Sequence, residues 1–332
     1  MKKFLALTMA LCMIFALCAV SASADEPITL TYAEVNPLDG TTVGEMAKSF
    51  KAKLEELSGG SVLVDIQASG VLGSEDQILD NLLGGGNICD LSRISAFALT
   101  QYGCDKASLL SIPYTFVNEE HFWKFADSEL AQEFLNEPQE IGLPLRGICY
   151  GEEGFRHFFF KNEVKGLEDL KGLKIRVSSD PVMTGMVSNL GASATTVAFT
   201  ELYSALNTGV VDGAEQPTAN YRSNAFQEVA PYLLLDGHTL GALQIVITDN
   251  AWNKLNEEQQ GWVMEAAKAA SQTCREKVAE IEQKTFEQLK EDGATVIPVE
   301  DKGPWVEACQ PTIKANTEKL ADLYQQLVDM GK

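Results

Sequence analysis

The segment from Asn256 to Asp292 contains no proline and a single, early glycine, Gly261. Asn256 followed by Gln259 has the spacing of a capping box, and Gly293 supplies the stop, so the spacing predicts one uninterrupted helix. At 1.5 Å per residue such a helix is roughly 50 Å long. That exceeds the width of one small lobe, so the fold must offer a body wide enough for the helix to cross. A coiled coil is excluded, because Trp262, Val263, Ala266, Ala269, Cys274, Val278, Ile281 and Phe286 do not keep a 3.5-residue period. A chain of 332 residues supplies that body as two lobes of roughly 130 to 170 residues each.

The rest of the chain alternates strand and helix patterns. Ile28 to Ala33 alternates apolar and polar residues as a strand does, Thr42 to Leu57 carries apolar residues at helical spacing before Gly59-Gly60, and Ser61 to Ile66 is the next strand. A helix over Ser74 to Leu83 ends at Gly84-Gly85-Gly86, and strands follow near Ile88 to Ile94 and Leu143 to Tyr150. Beyond Gly151 a second series begins, with a strand over Phe155 to Lys161, a short helix at Leu167 to Leu170, a strand over Lys174 to Val177, and helices over Pro181 to Leu190 and Thr200 to Asn207. An amphipathic helix from Thr312 to Met330 closes the chain. Alternation of this kind specifies an α/β fold with helices on the sheet faces, and the lobe boundary falls near Gly151 to Gly154.

The first 24 residues follow a different rule. Lys2 and Lys3 precede an apolar run from Phe4 to Val20, and Ser21-Ala22-Ser23-Ala24 offers the small residues of a cleavage site, so residues 1–24 are expected to be an export signal. The run is short and ends in small polar residues, unlike a membrane anchor. Lipid attachment at Cys18 is disfavoured by the large Leu17 before it. Loss of the two lysines moves the formal charge from -21 to -23, a surface that repels nucleic acid and anionic lipid. Recognition of any anion must then be local. Of the seven cysteines, Cys89, Cys104, Cys149, Cys274 and Cys309 outlast the signal. Their scatter makes no disulfide framework; at least one thiol is expected to be free, the others buried as small apolar groups.

Catalytic signatures are missing. The histidines His121, His157 and His238 lie far apart without a metal-ligand neighbour one helical turn away, and no Gly-x-Ser-x-Gly, Walker A or Gly-x-Gly-x-x-Gly is present. With so many acids, paired carboxylates occur by chance and carry no specific signal. What stands out is a small set of arginines in apolar contexts: Arg93, Arg146, Arg156, Arg176, Arg222 and Arg275. An arginine where a lysine would serve as a surface cation suggests a planar, bidentate partner such as a carboxylate. For Arg176, at the tip of a strand, that carboxylate is either a ligand's or that of an Asp or Glu bracing the fold. His238 reads as a hydrogen-bonded structural histidine.

Several linked phrases then resemble one family. Gly172-Leu173-Lys174-Ile175-Arg176-Val177, the turn Leu190-Gly191-Ala192-Ser193, the run Phe199 to Gly209 and Val211-Asp212-Gly213 are similar to the signature of the extracytoplasmic solute-binding subunits of TRAP transporters, the DctP-type family. Gly70-Val71-Leu72-Gly73, Ile112-Pro113-Tyr114 and the long helix after Leu255 agree in order and distance, so the resemblance covers the whole chain beyond the signal. It implies a two-lobe, periplasmic-binding-protein-like α/β fold with the long helix spanning both lobes, one formed by residues 25–153 plus about 242–281 and the other by 154–241 plus about 282–332. It implies a periplasmic or otherwise extracytoplasmic, monomeric, non-enzymatic protein that captures a small organic acid and hands it to TRAP integral-membrane subunits. Arg176 matches the family arginine that pairs with the ligand carboxylate, and Arg156 a second arginine near the same acid. Gln216 stands where many relatives have Asn, Phe199 at a ring lining the cleft, and Ser179 at a polar contact; Glu34 and Ser95 are first-lobe contacts or solvated loop residues. Gln216-Pro217 departs from the acid-Trp pattern of metal-dependent members, so neither a metal nor another cofactor is expected. A sugar acid suits these residues. A dicarboxylate would want a second cation, with Arg93 the one available, and Phe155, Phe158 and Phe199 keep an aromatic acid open. A secreted enzyme acting on small acids and a ligand-sensing receptor subunit are the alternatives from other classes.

Overall fold

The computed structural model describes residues 26–332; the expected export signal, Cys12 and Cys18 lie outside them. One mixed sheet of nine strands runs through the molecule in the order β2-β1-β3-β8-β4-β7-β5-β6, with β9 against β8. The strands are β1 (Ile28–Ala33), β2 (Val62–Gln67), β3 (Leu91–Ser95), β4 (Leu145–Phe160), β5 (Lys174–Val177), β6 (Ser193–Thr196), β7 (Gly213–Pro217), β8 (Tyr232–Thr248) and β9 (Thr295–Pro298). Short parallel strands form each wing: β1 pairs with β2 and β3, and β5 pairs with β6 and β7.

The two long strands join the wings. β4 and β8 run antiparallel from Leu145↔Thr248 to Phe160↔Tyr232, so their outer halves belong to different lobes. The expected pair of strands on either side of Gly151 to Gly154 is therefore one strand with a register shift between Glu152 and Phe155. Gly154 has φ +80°, and a Cβ on Gly151 would lie 2.9 Å from Cys274 Sγ, Leu243 Cδ1 and Met46 Sδ. These glycines read as punctuation in sequence because they allow an irregular backbone, yet the ladder re-forms beyond it. β8, unforeseen in the sequence, is almost wholly buried, its polar Asp236, His238, Thr239 and Gln244 included, and a strand buried on both faces lacks the alternation that marks a half-exposed one.

The long helix occupies Glu257–Glu291, and its capping box is complete: Asn256 accepts from the Gln259 amide and Gln259 from the Asn256 amide. Val263, Ala266, Ala267, Ala270 and Cys274 pack in the first-lobe core, beside Met46, Phe50 and Leu54 of the helix Thr42–Leu57. Further along, Phe286 and Leu289 pack in a second-lobe core with Phe159, Tyr221 and Phe226. The helix thus spans both lobes, as its length requires. At the crossover, the Cys274 thiol donates to the Glu152 carbonyl (3.1 Å) and accepts from the Glu152 amide (3.2 Å), tying helix to strand.

The helices Glu119–Ala126, Glu129–Glu140, Thr218–Ser223 and Asp249–Trp252 were not legible, and the C-terminal region begins its helix earlier than expected. Gly303–Thr317 is helical with Pro304 in its first turn, where a missing N–H costs nothing. A 3-10 turn at Glu318–Leu320 then redirects the chain into a separate helix, Ala321–Asp329. Trp305 and Cys309 pack against second-lobe Met183, Met186 and Val187. Leu327 instead enters the first-lobe core, its carbonyl 2.7 Å from His121 Nε2. The tail beyond residue 282 therefore does not stay with lobe II. All five described cysteines are free and buried.

Candidate functional site

A cleft opens between the lobes beside the β4–β8 crossover. Asn36, Ser74, Glu75, Asp76, Arg93 and Ser95 line it from the first lobe, and Arg176, Ser178, Ser179, Val197, Ala198, Phe199, Gln216 and Asn220 from the second, with Glu153 and Arg156 from β4. The parallel strands of each wing end here, the position at which open α/β sheets leave a crevice.

Arg176 is the penultimate residue of β5, beside the loop that follows β6. Its Nε donates to the Val197 carbonyl at 2.7 Å, which fixes the plane of the guanidinium. The side chain is only 3 % exposed, yet among the described residues no carboxylate lies within ion-pair distance. Burial pushes it down to about 10, with Glu215 pulling the other way and the like charge of Arg156 adding to the fall; it remains a cation at neutral pH. A buried cation without a counter-ion is costly unless something pairs with it, and beyond the Nε contact the Nη donors of Arg176 make no hydrogen bond among the described residues.

The neighbouring arginines are already paired. Arg156, on β4 opposite Pro217, holds the Glu215 carboxylate through Nε and Nη2, the latter at 2.9 Å. Burial would raise the Glu215 carboxyl, but Arg156 and a contact from His238 (3.4 Å) outweigh it and hold it near about 2. His238 in turn sits 2.6 Å from Asp236. Burial favours neutral imidazole, yet the two carboxylates prevail and push His238 up to about 9. Asp236, His238, Glu215 and Arg156 form a buried chain of alternating charge under the cleft floor, where His238 is the structural histidine the sequence suggested. Arg93 is held by Glu34 through Nε (2.8 Å) and Nη2, and its Nη1 lies 3.6 Å from Glu75 and 3.8 Å from Glu153.

Of the residues singled out from sequence, the cleft brings together Arg176, Arg156, Gln216, Phe199, Ser179 and Ser95. The Gln216 side-chain amide has no hydrogen-bond partner among the described residues, and Phe199 stands edge-on to Phe226 with ring centres 5.8 Å apart. Ser179 donates to Asp76 across the cleft at 2.7 Å, a contact between lobes. Ser95 donates its amide to Glu75 at 2.9 Å. Glu34 is not brought to the cleft: its carboxylate is buried beneath it, bound to Arg93 and to the Asn36 amide at 2.8 Å.

Sequence reasoning missed Glu75, Asp76, Glu153 and Asn220. The signal for the first two lay in Ser74-Glu75-Asp76-Gln77, a capping box that starts the helix Glu75–Leu83 at the cleft edge. Glu153 lay inside the Gly151 to Gly154 phrase, read there only as a boundary. Among the described residues no cluster of His, Cys, Asp and Glu has the geometry of a metal site.

The sequence matches the model of a family described as bacterial extracellular solute-binding protein, family 7, over residues 33–320. In structure it is similar to a TRAP periplasmic solute-binding protein from a Bradyrhizobium species, solved with galacturonate (30% identity, TM-score 0.85, covering 91% of this chain and 99% of that one). It is also similar to one from Pseudomonas putida F1 with bound D-glucuronate (29% identity, TM-score 0.85, 90% and 96% covered). A C4-dicarboxylate-binding periplasmic protein of Rhodobacter capsulatus is 25% identical over 89% of this chain and 88% of its own.

Proposed function

The chain belongs to the family 7 bacterial extracellular solute-binding proteins, the solute-capturing components of TRAP transporters, and from that premise we propose that its ligand is a sugar acid anchored by Arg176. The observation that carries the reading is the buried guanidinium of Arg176, held in plane by Val197 and lacking a carboxylate partner. A ligand carboxylate completes the pair. Arg156, already neutralised by Glu215, adds a polar edge without a free charge, while Gln216 and Ser178 offer uncommitted polar groups and Phe199 a flat apolar wall. The relatives solved with galacturonate and glucuronate support this choice of acid.

Binding begins on the open second lobe, and the first lobe then swings over the ligand about the β4–β8 crossover, where the register of β4 is already broken. Closure excludes water and strengthens the guanidinium–carboxylate contact. The Ser179–Asp76 and Asn224–Asn36 hydrogen bonds (2.7 and 3.2 Å) then join the lobes. The protein works as an exported monomer, its first 24 residues removed on the way, and passes the acid to TRAP membrane subunits.

Titration calorimetry with D-galacturonate, D-glucuronate and L-galactonate tests this. Loss of one partner of a desolvated charge pair costs roughly 2 to 5 kcal/mol, so Arg176→Ala is expected to weaken binding about 30-fold or more. Near-normal affinity in that variant, with the fold intact by circular dichroism, overturns the assignment.

A further inference from the structure

The unused hydrogen-bonding capacity of the cleft is divided by side. From the second lobe come donors: the Nη atoms of Arg176, the Gln216 amide, and the Ser178 hydroxyl, which is buried without a partner. From the first lobe and the crossover come acceptors. Glu75 accepts from Ser95 through Oε2, leaving Oε1 without a hydrogen bond among the described residues. Glu153 accepts from Asn220 through its own Oε2, and its Oε1 has only the 3.8 Å approach of Arg93.

The charge balance runs the same way. Three guanidinium groups, of Arg93, Arg156 and Arg176, face five carboxylates, of Glu34, Glu75, Asp76, Glu153 and Glu215, in and directly beneath the cleft. Arg93 is the cation that a diacid would need on the first lobe, yet Glu34 grips it directly while Glu75 and Glu153 flank its Nη1. A second ligand carboxylate arriving there would meet a guanidinium whose charge Glu34 already offsets, and two further carboxylates of like sign beside its Nη1. An ammonium would meet the Arg93 cation between those same two oxygens. A hydroxyl escapes both penalties, since it is neutral and donates one hydrogen bond to a carboxylate oxygen. Burial pushes both the Glu75 and Glu153 carboxyls up despite Arg93, so a donor supplied to either oxygen relieves an existing cost.

On the solute-binding reading above, we propose that the cleft selects monocarboxylic acids whose far end carries hydroxyl groups, with Glu75 and Glu153 accepting from those hydroxyls and excluding acids with a carboxylate at that end. Glu75 and Glu153 are thus specificity-determining residues, distinct in role from the Arg176 anchor.

The test is a calorimetric panel on the exported protein that pairs each uronate with the aldarate of the same skeleton, galacturonate with galactarate and glucuronate with glucarate, and adds succinate and glutamate. The expected result is a uronate bound roughly tenfold or more tighter than its aldarate, with succinate and glutamate weaker still. Glu75→Gln and Glu153→Gln are expected to lower uronate affinity and to narrow the uronate-to-aldarate ratio, because each removes a negative charge while keeping an acceptor. If a diacid or glutamate binds as tightly as the uronates through Arg176, or if neither Gln variant changes the ratio, this inference is overturned and the transport-receptor reading survives. If no acid on the panel binds, or if binding is indifferent to Arg176→Ala, the proposed sugar-acid reading anchored by Arg176 fails and this inference fails with it.

Discussion

Arg93, Arg156 and Arg176 look alike along the sequence, each an arginine among apolar neighbours near a strand end, and each is at least 95 % buried. They differ only in what opposes them: Glu34 for Arg93, Glu215 for Arg156, and a carbonyl for Arg176. On the proposed reading, that difference makes the first two braces of the fold and the third the residue that meets a ligand. Replacement by lysine is expected to expose it, because an ammonium cannot hold the Val197 carbonyl and a planar carboxylate in the same fork; Arg176→Lys should lose about tenfold or more in affinity by calorimetry. The His238 chain makes a separate prediction about stability. Its folded pKa of about 9 stands above the ordinary value near 6.5, so its contribution is complete below about pH 6.5 and is lost as pH rises through 9. The unfolding free energy of the wild type from urea titrations should fall across that window, by on the order of 2 kcal/mol, and His238→Asn should flatten the decline. The depressed Glu215 acts at the opposite end: its contribution is complete above the ordinary carboxyl range and is lost as pH falls toward 2. A stability profile flat from pH 6 to 9.5 in the wild type would contradict the His238 assignment.

Among the elements, the long helix was the most legible and the crossover strands the least. A capping box and a helical apolar pattern are local signals, carried by residues three or four apart, and they marked Glu257–Glu291 almost to the residue. Removing the cap with Asn256→Ala should cost about 1 kcal/mol in denaturant unfolding. The crossover is a different case. Gly151 and Gly154 read as a break, whereas the neighbouring strand β8 and the Cys274 thiol hold β4 together through the irregularity. A Cβ at Gly151 has three side-chain atoms at 2.9 Å in its way, so Gly151→Ala is expected to destabilise by about 1–3 kcal/mol. Full stability of that variant would show that Cys274 and Met46 yield without strain. Helix Glu119–Ala126 escaped notice because His121, Phe122, Trp123 and Phe125 face inward within little more than one turn, too short a stretch for a period to emerge.

For the whole molecule, the surplus of acid is spread over a surface that repels the very anions the cleft is suited to hold. With Arg176 as the proposed anchor, attraction is confined to the few ångströms around it, and long-range steering works against capture. Salt should therefore speed the association of a monoanionic acid: stopped-flow rates are expected to rise severalfold between about 10 mM and about 150 mM salt as the Debye length shrinks from about 30 Å to about 8 Å. A rate that falls with salt would mean that a local positive field dominates the approach. Local signals in the sequence determined the α/β class, the cross-lobe helix, several helix starts, the family phrases and a short list of arginines, because propensity, capping and periodicity act between residues close in the chain. Only the tertiary structure decided which arginine lacks a carboxylate partner among the described residues, that Glu34 is spent on Arg93, that Glu75 and Glu153 line the cleft with one oxygen each outside any hydrogen bond, and that the C-terminal helix returns to the first lobe. Each of those depends on partners scores of residues apart, such as Glu34 with Arg93 and Arg156 with Glu215, and a charge declares itself anchor or brace only once its opposite is in place.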